Sequence, residues 1–284
     1  MRSELARLQT DFGLTLASYE SGLEILSFKG RSLDRQRSLP GAEGIGALPR
    51  DGTELALQIT QGIPFLRIVR LDGSDGRDFD EIGLPLEMCW SYDKSKLALV
   101  VQKTRPDSSL IILDLRSKSI KEIDRRAHVQ SQCWSPDDKR IAYDADNTVR
   151  IYEIGKDQSN TRVIAKGKRA TWSSDGQWIA FLDEGTYYAI RPTESQGRVL
   201  FQEKNGVSGL WWSPDSRIVA YVSRPRIIEG GFLPWEAENY RLRVRRLEDS
   251  SEDWVADGIS GGSSFQWVAN KDLLKNTESV PSPK

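Results

Sequence analysis

The chain has 284 residues, and its 40 basic side chains are balanced by 41 acidic ones, which gives a formal net charge of −1. Nucleic acid and anionic membranes both favour a large positive patch, so this balance argues against either as a partner. No apolar run approaches the ~20 residues of a membrane span, and residues 1–7 lack the apolar core of a signal peptide. We therefore expect a soluble, cytoplasmic protein that binds neither nucleic acid nor membrane.

A short sequence motif, which we call the phrase, recurs along the chain and predicts its fold. Each copy ends one strand on a tryptophan, passes through a turn and starts a second strand. The tryptophans at positions 90, 134, 172, 212 and 267 are spaced 44, 38, 40 and 55 residues apart. A period near 40 residues with β-type patterning inside each unit is typical of propeller blades, each a four-stranded sheet.

The repeats predict how the chain is divided and closed. Five whole units start near residues 44, 85, 129, 168 and 207, and three N-terminal strands together with a C-terminal strand near 263–268 supply one more. We predict an all-β fold: a single six-bladed β-propeller of four-stranded antiparallel blades over residues 1–274. Pairing of the N- and C-terminal strands in one blade closes the ring. Residues 275–284 are predicted to form a flexible C-terminal tail.

The turn inside the phrase has a physical reason. Ser135, Pro136 and Asp137 suit successive positions of a type I turn. Glycine follows the aspartate at 52 and 176 only, and the replacements elsewhere (Lys94, Asp138 and Ser216) are expected to be a mild departure.

The two cysteines occupy the same position in consecutive repeats. Because a disulfide needs Cα atoms within ~7 Å, we expect Cys89 and Cys133, on separate blades, to be too far apart to pair. Both are predicted to be buried thiols.

The phrase resembles a known repeat. Trp172-Ser173-Ser174-Asp175-Gly176 followed by Ile179-Ala180-Phe181 is similar to the repeat of TolB-like, WD-like β-propellers, which also occurs in the propeller domains of prolyl oligopeptidase relatives. The resemblance covers about residues 10–274. It implies the blade type and says little about activity, because these propellers serve many roles. TolB itself has a signal peptide and a preceding α/β domain, so the resemblance implies no envelope role here.

The sequence offers few groups for catalysis. His128 is its only histidine, and no Gly-x-Ser-x-Gly turn accompanies it, so a Ser-His-Asp triad is not expected. A single histidine also excludes multi-histidine metal sites such as those of propeller-type polysaccharide lyases. Most acidic pairs lie on hairpin turns, and Asp144 with Asp146 is the one that could form a calcium ligand pair. We predict no catalytic residue, metal or cofactor.

The 55-residue spacing between Trp212 and Trp267 marks an irregular repeat. The additional residues are 224–240, a long and apolar connection between the second and third strands of that repeat. Long loops with exposed Trp and Arg commonly bind partners, although this one could also fold down as a plug over the channel. The loop should stand at the channel mouth. The predicted binding residues are Arg224, Arg226, Phe232, Trp235, Glu236 and Tyr240 on the loop, with Glu87, His128, Lys168 and Arg169 beside it.

These observations predict a non-catalytic recognition scaffold that binds a protein or peptide partner on the face carrying residues 224–240. One alternative is a hydrolase or lyase that uses carboxylates and arginine at the channel mouth. Another is a small-molecule or sugar-binding module in which Trp235 stacks on the ligand. The identity of the partner and the oligomeric state stay open.

Overall fold

A computed structural model describes most of the chain. The described residues are 12–17, 23–29, 32–39, 46–47, 49, 51, 53–59, 64–70, 74–102, 108–126, 129–156, 161–203, 207–223, 240–248, 250, 252–259 and 264–269. For the strands nearest the two ends of the chain, the description is of the backbone.

The described strands form six four-stranded sheets, and each paired neighbour is antiparallel. The first sheet contains β1 (Phe12–Ala17), β2 (Leu23–Lys29) and β3 (Ser32–Leu39), with β24 (Ser264–Ala269) as its innermost strand. The second sheet consists of β4 (Gly46–Ala47), β5 (Glu54–Ile59), β6 (Phe65–Arg70) and β7 (Arg77–Phe79). A 3-10 turn at Asp80–Ile82 leads to the third sheet, which consists of β8 (Leu84–Trp90), β9 (Lys96–Gln102), β10 (Ser108–Asp114) and β11 (Ile120–Arg126). The fourth sheet consists of β12 (Val129–Trp134), β13 (Arg140–Ala145), β14 (Thr148–Glu153) and β15 (Arg162–Lys166). The fifth sheet consists of β16 (Lys168–Trp172), β17 (Ile179–Asp183), β18 (Thr186–Ile190) and β19 (Arg198–Gln202). The last is β20 (Val207–Trp212), β21 (Ile218–Ser223), β22 (Tyr240–Arg246), β23 (Glu252–Ile259).

The two ends of the chain meet in one sheet through backbone pairing. Strand β1 runs antiparallel to β24, with Phe12 opposite Ala269 and Ala17 opposite Ser264. How the side chains of this sheet pack against its neighbours lies outside the described residues. That part of the predicted closure stays a prediction.

Side chains buried between adjacent sheets hold the blades together. Strand β21 is buried along its whole length, and β10 along all but its last residue, as expected of strands covered on both faces. The turn tryptophans fill the wedges between sheets. Trp134 is fully buried and belongs to one apolar cluster with Leu110 of the preceding sheet and Tyr143 of its own. Its indole N–H donates to the carbonyl of Cys89 at 3.1 Å, which joins the two innermost strands directly.

One hydrogen-bond pattern repeats in four turns. In the turn after Trp134, the Ser135 hydroxyl donates to Asp137 at 2.5 Å and accepts from the N–H of Arg140 at 2.9 Å. The same Ser-to-Asp bond, at 2.6–2.7 Å, recurs at residues 91 and 93, 173 and 175, and 213 and 215. The repeat therefore needs serine and aspartate two residues apart because their side chains close the turn on themselves.

The residue after that aspartate does more than the sequence suggested. Lys94, Asp138, Gly176 and Ser216 all have a positive φ between 56° and 71°, a backbone region that favours glycine. The three that are not glycine each contact the preceding blade's turn. Asp138 accepts from the N–H groups of Tyr92 and Asp93 at 2.6 and 2.9 Å.

The other two contacts follow the same direction around the ring. Ser216 accepts from the N–H of Asp175 at 2.9 Å, and the ammonium group of Lys94 contacts Asp51 at 2.5 Å. The expectation of a mild departure is wrong, because these side chains link consecutive turns. We call this set of contacts the turn ring.

Cys89 and Cys133 are both free thiols, as predicted, but their side chains interact across two adjacent sheets. A hydrogen bond with Cys133, together with burial, raises the pKa of Cys89 well above its usual value. Innermost strands of neighbouring blades converge toward the axis of a propeller, so residues at equivalent positions there can meet. Both cysteines are free and partly buried.

Candidate binding site at the channel mouth

Four consecutive innermost strands are irregular near their first residues. Each shifts register against its partner strand, between Pro85 and Glu87 in β8, Val129 and Ser131 in β12, Lys168 and Thr171 in β16, and Val207 and Gly209 in β20. A β-bulge re-aims the side chains around it. The shifts lie at the end of these strands opposite the turn ring. We call this end the channel mouth.

Glu87 faces the open channel at this mouth. Its side chain is exposed, yet its charge interacts with Asp144 and Arg169, which belong to the next two sheets. Arg169 lies two sheets away, so it faces Glu87 across the channel rather than through a blade interface. Enclosure by the surrounding protein raises the pKa of Glu87 to about 7; Arg169 opposes that rise and Asp144 adds to it.

Arg169 is held in place by its own backbone. It has a φ of +59°, and its N–H donates to the buried carboxylate of Asp144 at 2.9 Å. Gly167, two residues earlier, has a φ of +140°, and a Cβ there would lie 2.9 Å from the carbonyl oxygen of Leu182. A glycine is therefore required where the chain enters β16. In the described part of the chain, no side chain pairs with the guanidinium of Arg169.

Tyr187 places a hydroxyl close to this arginine. Its ring is fully buried and stacks on Phe201 with 5.2 Å between centroids. Burial raises the pKa of the Tyr187 hydroxyl, and the positive charge of Arg169 opposes that rise. No described residue forms a hydrogen bond with the hydroxyl, although a buried polar group without a partner is costly.

The structure places the predicted binding residues as follows. Glu87 and Arg169 lie at the mouth, and Lys168 is exposed at the first position of β16. His128 and residues 224–239 lie outside the described residues, so Arg224, Arg226, Phe232, Trp235 and Glu236 stay predictions. Tyr240 begins β22, but its side chain is not described.

The ends of the long loop are nevertheless positioned. Ser223, the last residue of β21, pairs with Val207 on one side and with Arg241 on the other. Val207 is the first residue of an innermost strand, so both ends of the loop lie on the face of the channel mouth.

Sequence reasoning missed one member of the site. Asp144 was considered only as a possible calcium ligand with Asp146. It has no local signal, because its contact with Arg169 joins two different sheets. Among the described residues, no three His, Cys, Asp or Glu side chains are grouped so that they could hold a metal ion.

One position precedes the turn tryptophan in each repeat, and Cys89, Cys133, Thr171 and Trp211 occupy it in consecutive sheets. Both cysteines pack against apolar clusters between sheets. The Thr171 hydroxyl contacts the sulfur of Cys133 at 3.9 Å. A Cβ on Gly209 would lie 2.3 Å from the Trp211 ring, so that ring lies directly against the backbone of its own strand.

None of the helices in the described part of the chain has the length and apolar character needed to span a bilayer.

Comparison with known proteins supports the fold. A family model described as WD domain, G-beta repeat matches residues 118–153. No curated protein sequence matches the chain significantly.

Several solved structures are similar over most of the chain. TolB from Acinetobacter baumannii matches with 14% identity and a TM-score of 0.66, over 90% of this chain and 66% of that one. A TolB-type protein from Agrobacterium tumefaciens matches with 14% identity and a TM-score of 0.67, over 91% and 98%. An oligogalacturonate lyase in complex with manganese matches with 13% identity and a TM-score of 0.58, over 87% and 78%. The chain therefore has a TolB-like, WD-like β-propeller fold.

Proposed function

We propose that the chain is a non-catalytic recognition scaffold that binds a protein or peptide partner at the channel mouth. The observation that carries this proposal is that neither the carboxylate of Glu87 nor the guanidinium of Arg169 has a hydrogen-bond partner among the described residues, although the backbone of Arg169 is held by Asp144. Polar groups inside folded proteins are normally paired. Groups left unpaired around an open channel are available to a ligand.

The site is also preorganised, which favours recognition. The bulge in β16 and the bond between Arg169 and Asp144 fix the backbone that carries the guanidinium. Binding then requires little ordering of the protein, and ordering is one of the main costs of association.

The long loop supplies the second part of the proposal. Both of its ends lie on the mouth face. We expect the loop to extend the binding surface over the mouth. Trp and Arg are the residue types that most often anchor interfaces, so the predicted anchors are Arg224, Arg226, Phe232, Trp235, Glu236 and Tyr240.

Deletion of residues 226–238 tests the proposal. The expected result is a folded protein, with an unchanged circular dichroism spectrum, that no longer retains its partner in affinity capture from native cells followed by mass spectrometry. The matched control replaces residues 103–107, the equivalent and shorter hairpin, with glycine and serine. The proposal fails if the deletion leaves every captured protein in place, or if the control loses the same partner.

One observation favours a second candidate, a lyase or hydrolase that acts at the same mouth. Glu87 has a pKa of about 7, the value that suits a general acid or base near neutral pH, and Arg169 faces it. An oligogalacturonate lyase shares the fold. Incubation with oligogalacturonate, with or without added Mn²⁺, tests this candidate: product formation that disappears in Glu87→Gln would favour the enzyme over the scaffold.

A further inference from the structure

We propose that Cys89 and Cys133 form an oxidation site, in which a hydroperoxide converts the two thiols into a disulfide between neighbouring innermost strands. The two residues occupy the same position in consecutive repeats, one residue before the turn tryptophan. They lie on β8 and β12, and both are free and partly exposed. The oxidation site is independent of the proposed function.

The two thiols have the same orientation within their repeats. The sulfur of Cys89 lies 3.7 Å from the carbonyl oxygen of Trp90, and the sulfur of Cys133 lies 3.6 Å from that of Trp134. From this orientation Cys133 reaches the equivalent residue of the next sheet, since the hydroxyl of Thr171 donates to its sulfur at 3.9 Å. Cys89, with the same orientation one sheet earlier, reaches Cys133 in the same way, and the two thiols are hydrogen-bonded.

The two strands that carry the cysteines are bonded to each other directly. The indole N–H of Trp134 donates to the carbonyl of Cys89 at 3.1 Å, whereas the equivalent indole N–H of Trp172 bonds to no described residue. Cα atoms of β8 and β12 approach within 8 Å of one another. Because a disulfide spans Cα separations up to about 7 Å, these strands need little backbone movement to accept one.

The surroundings assign different roles to the two sulfurs. The hydrogen bond with Cys133, together with burial, raises the pKa of Cys89 well above its usual value, so Cys89 keeps its proton. The sulfur of Cys133 instead accepts the hydroxyl of Thr171, and such a donor stabilises the thiolate, which is the nucleophilic form. Cys133 is therefore the sulfur that reacts first.

The reaction takes two steps and two electrons. The thiolate of Cys133 attacks the terminal oxygen of the hydroperoxide, the O–O bond breaks, and the leaving oxygen takes up a proton, which leaves Cys133 as a sulfenic acid. The sulfur of Cys89 then attacks the sulfenic sulfur, the S–O bond breaks, and the proton of Cys89 departs with the hydroxide as water. With hydrogen peroxide, two thiols become one disulfide and the peroxide becomes two molecules of water.

Hydrogen peroxide treatment of the folded, full-length chain tests the proposal, followed by trypsin digestion without reductant. Trypsin separates the two cysteines into a peptide of residues 78–94 and one of residues 127–139. We expect these peptides to be linked, two hydrogen atoms lighter than the sum of the reduced forms, and to be released by dithiothreitol. The linked protein should migrate as a single chain on a non-reducing gel, and its thermal unfolding midpoint should rise by about 5–10 °C.

Three variants test the roles of the two sulfurs. Cys89→Ser should leave Cys133 as a sulfenic acid that dimedone traps, whereas Cys133→Ser should leave Cys89 reduced under the same conditions. Thr171→Val removes the hydroxyl and keeps the shape of the side chain, so it should slow the loss of thiols by about threefold.

Several results would overturn the proposal. The thiols do not meet in the folded chain if the linked peptide is absent, if it forms only in urea, or if it comes from disulfide-linked dimers. The order of reaction is wrong if dimedone labels Cys89 in Cys133→Ser faster than it labels Cys133 in Cys89→Ser, or if Thr171→Val reacts at the rate of the wild type.

Discussion

The two ends of the innermost strands belong to the same repeats but differ in whether their polar side chains have hydrogen-bond partners. At the turn ring, the hydroxyl of Ser135 both donates and accepts, and the carboxylate of Asp138 accepts two N–H groups of the preceding blade. At the channel mouth, neither the carboxylate of Glu87 nor the guanidinium of Arg169 has a hydrogen-bond partner among the described residues. The same sheets therefore carry one end in which polar groups serve the fold and one end in which they remain available.

Stability and binding therefore depend on opposite ends of the innermost strands in this fold. Satisfied polar networks specify one arrangement of the blades, whereas unpaired groups lower stability unless something binds them. Substitutions at the turn ring and in the blade interfaces should therefore change stability, and substitutions at the mouth should mainly change binding.

Trp134→Ala should have the largest effect on stability. Trp134 is fully buried between two sheets, and its loss leaves both a cavity and an unpaired Cys89 carbonyl. We expect the free energy of unfolding to fall by about 3–5 kcal/mol, measured by urea denaturation. Arg169→Gln at the other end should change it by less than about 0.5 kcal/mol. A similar loss in both variants would contradict the separation.

Asp138→Ala should have the next largest effect. It removes both bonds to the N–H groups of Tyr92 and Asp93 and leaves alanine with a φ of +56°. The expected loss is about 2–3 kcal/mol, again from urea denaturation.

Asp138→Gly is the matched control, because it loses the same bonds while glycine adopts a positive φ without strain. It should therefore be about 1 kcal/mol more stable than Asp138→Ala. If the two variants are equally stable, the backbone at this position is not strained, and only the hydrogen bonds matter.

The sequence predicted the blade pattern because each repeat has a local physical reason. The predicted unit starts near 85, 129, 168 and 207 correspond to strands that begin at Leu84, Val129, Lys168 and Val207. Tryptophan wedges and Ser-x-Asp turns depend on neighbouring residues and recur, so their spacing can be read along the chain. The cysteine contact could not be predicted in this way, because it depends on how closely adjacent innermost strands approach the axis.

The site was only partly accessible from sequence for a similar reason. Glu87 and Arg169 could be placed near the mouth because they lie close to the start of innermost strands. Asp144 joins the site through its bond with the Arg169 N–H, which lies within the register shift of β16. The spacing of the repeats gives no sign of that shift. Gly167 is the one sequence signal that could have indicated it, since a glycine beside a strand often marks a bulge.

Glu87→Gln should change the pH dependence of stability. The folded pKa of about 7 lies above the usual 4.5, so the folded state prefers the protonated form. The stability that this preference contributes is complete below about pH 4.5 and is lost as the pH rises through 7.

The variant should therefore be more stable than the wild type at pH 8 and equal to it at pH 4.5. Because Glu87 is exposed to the channel, solvent screening limits the difference to about 1 kcal/mol. Urea denaturation of both proteins between pH 4.5 and 8 measures it, and parallel curves would show that the channel does not disfavour the charge.

Ser216→Ala should have the smallest effect and tests whether the turn ring is more than a by-product of the fold. The substitution removes one bond, from the N–H of Asp175, and leaves the backbone requirement unchanged, because serine and alanine tolerate a positive φ equally poorly. The expected loss is about 0.5–1.5 kcal/mol. Ser195→Ala, at an exposed serine away from the ring, should change stability by less than about 0.5 kcal/mol. If the two variants have the same stability, the contacts between consecutive turns contribute nothing to stability. The spacing of the blades is then set by the tryptophan side chains alone.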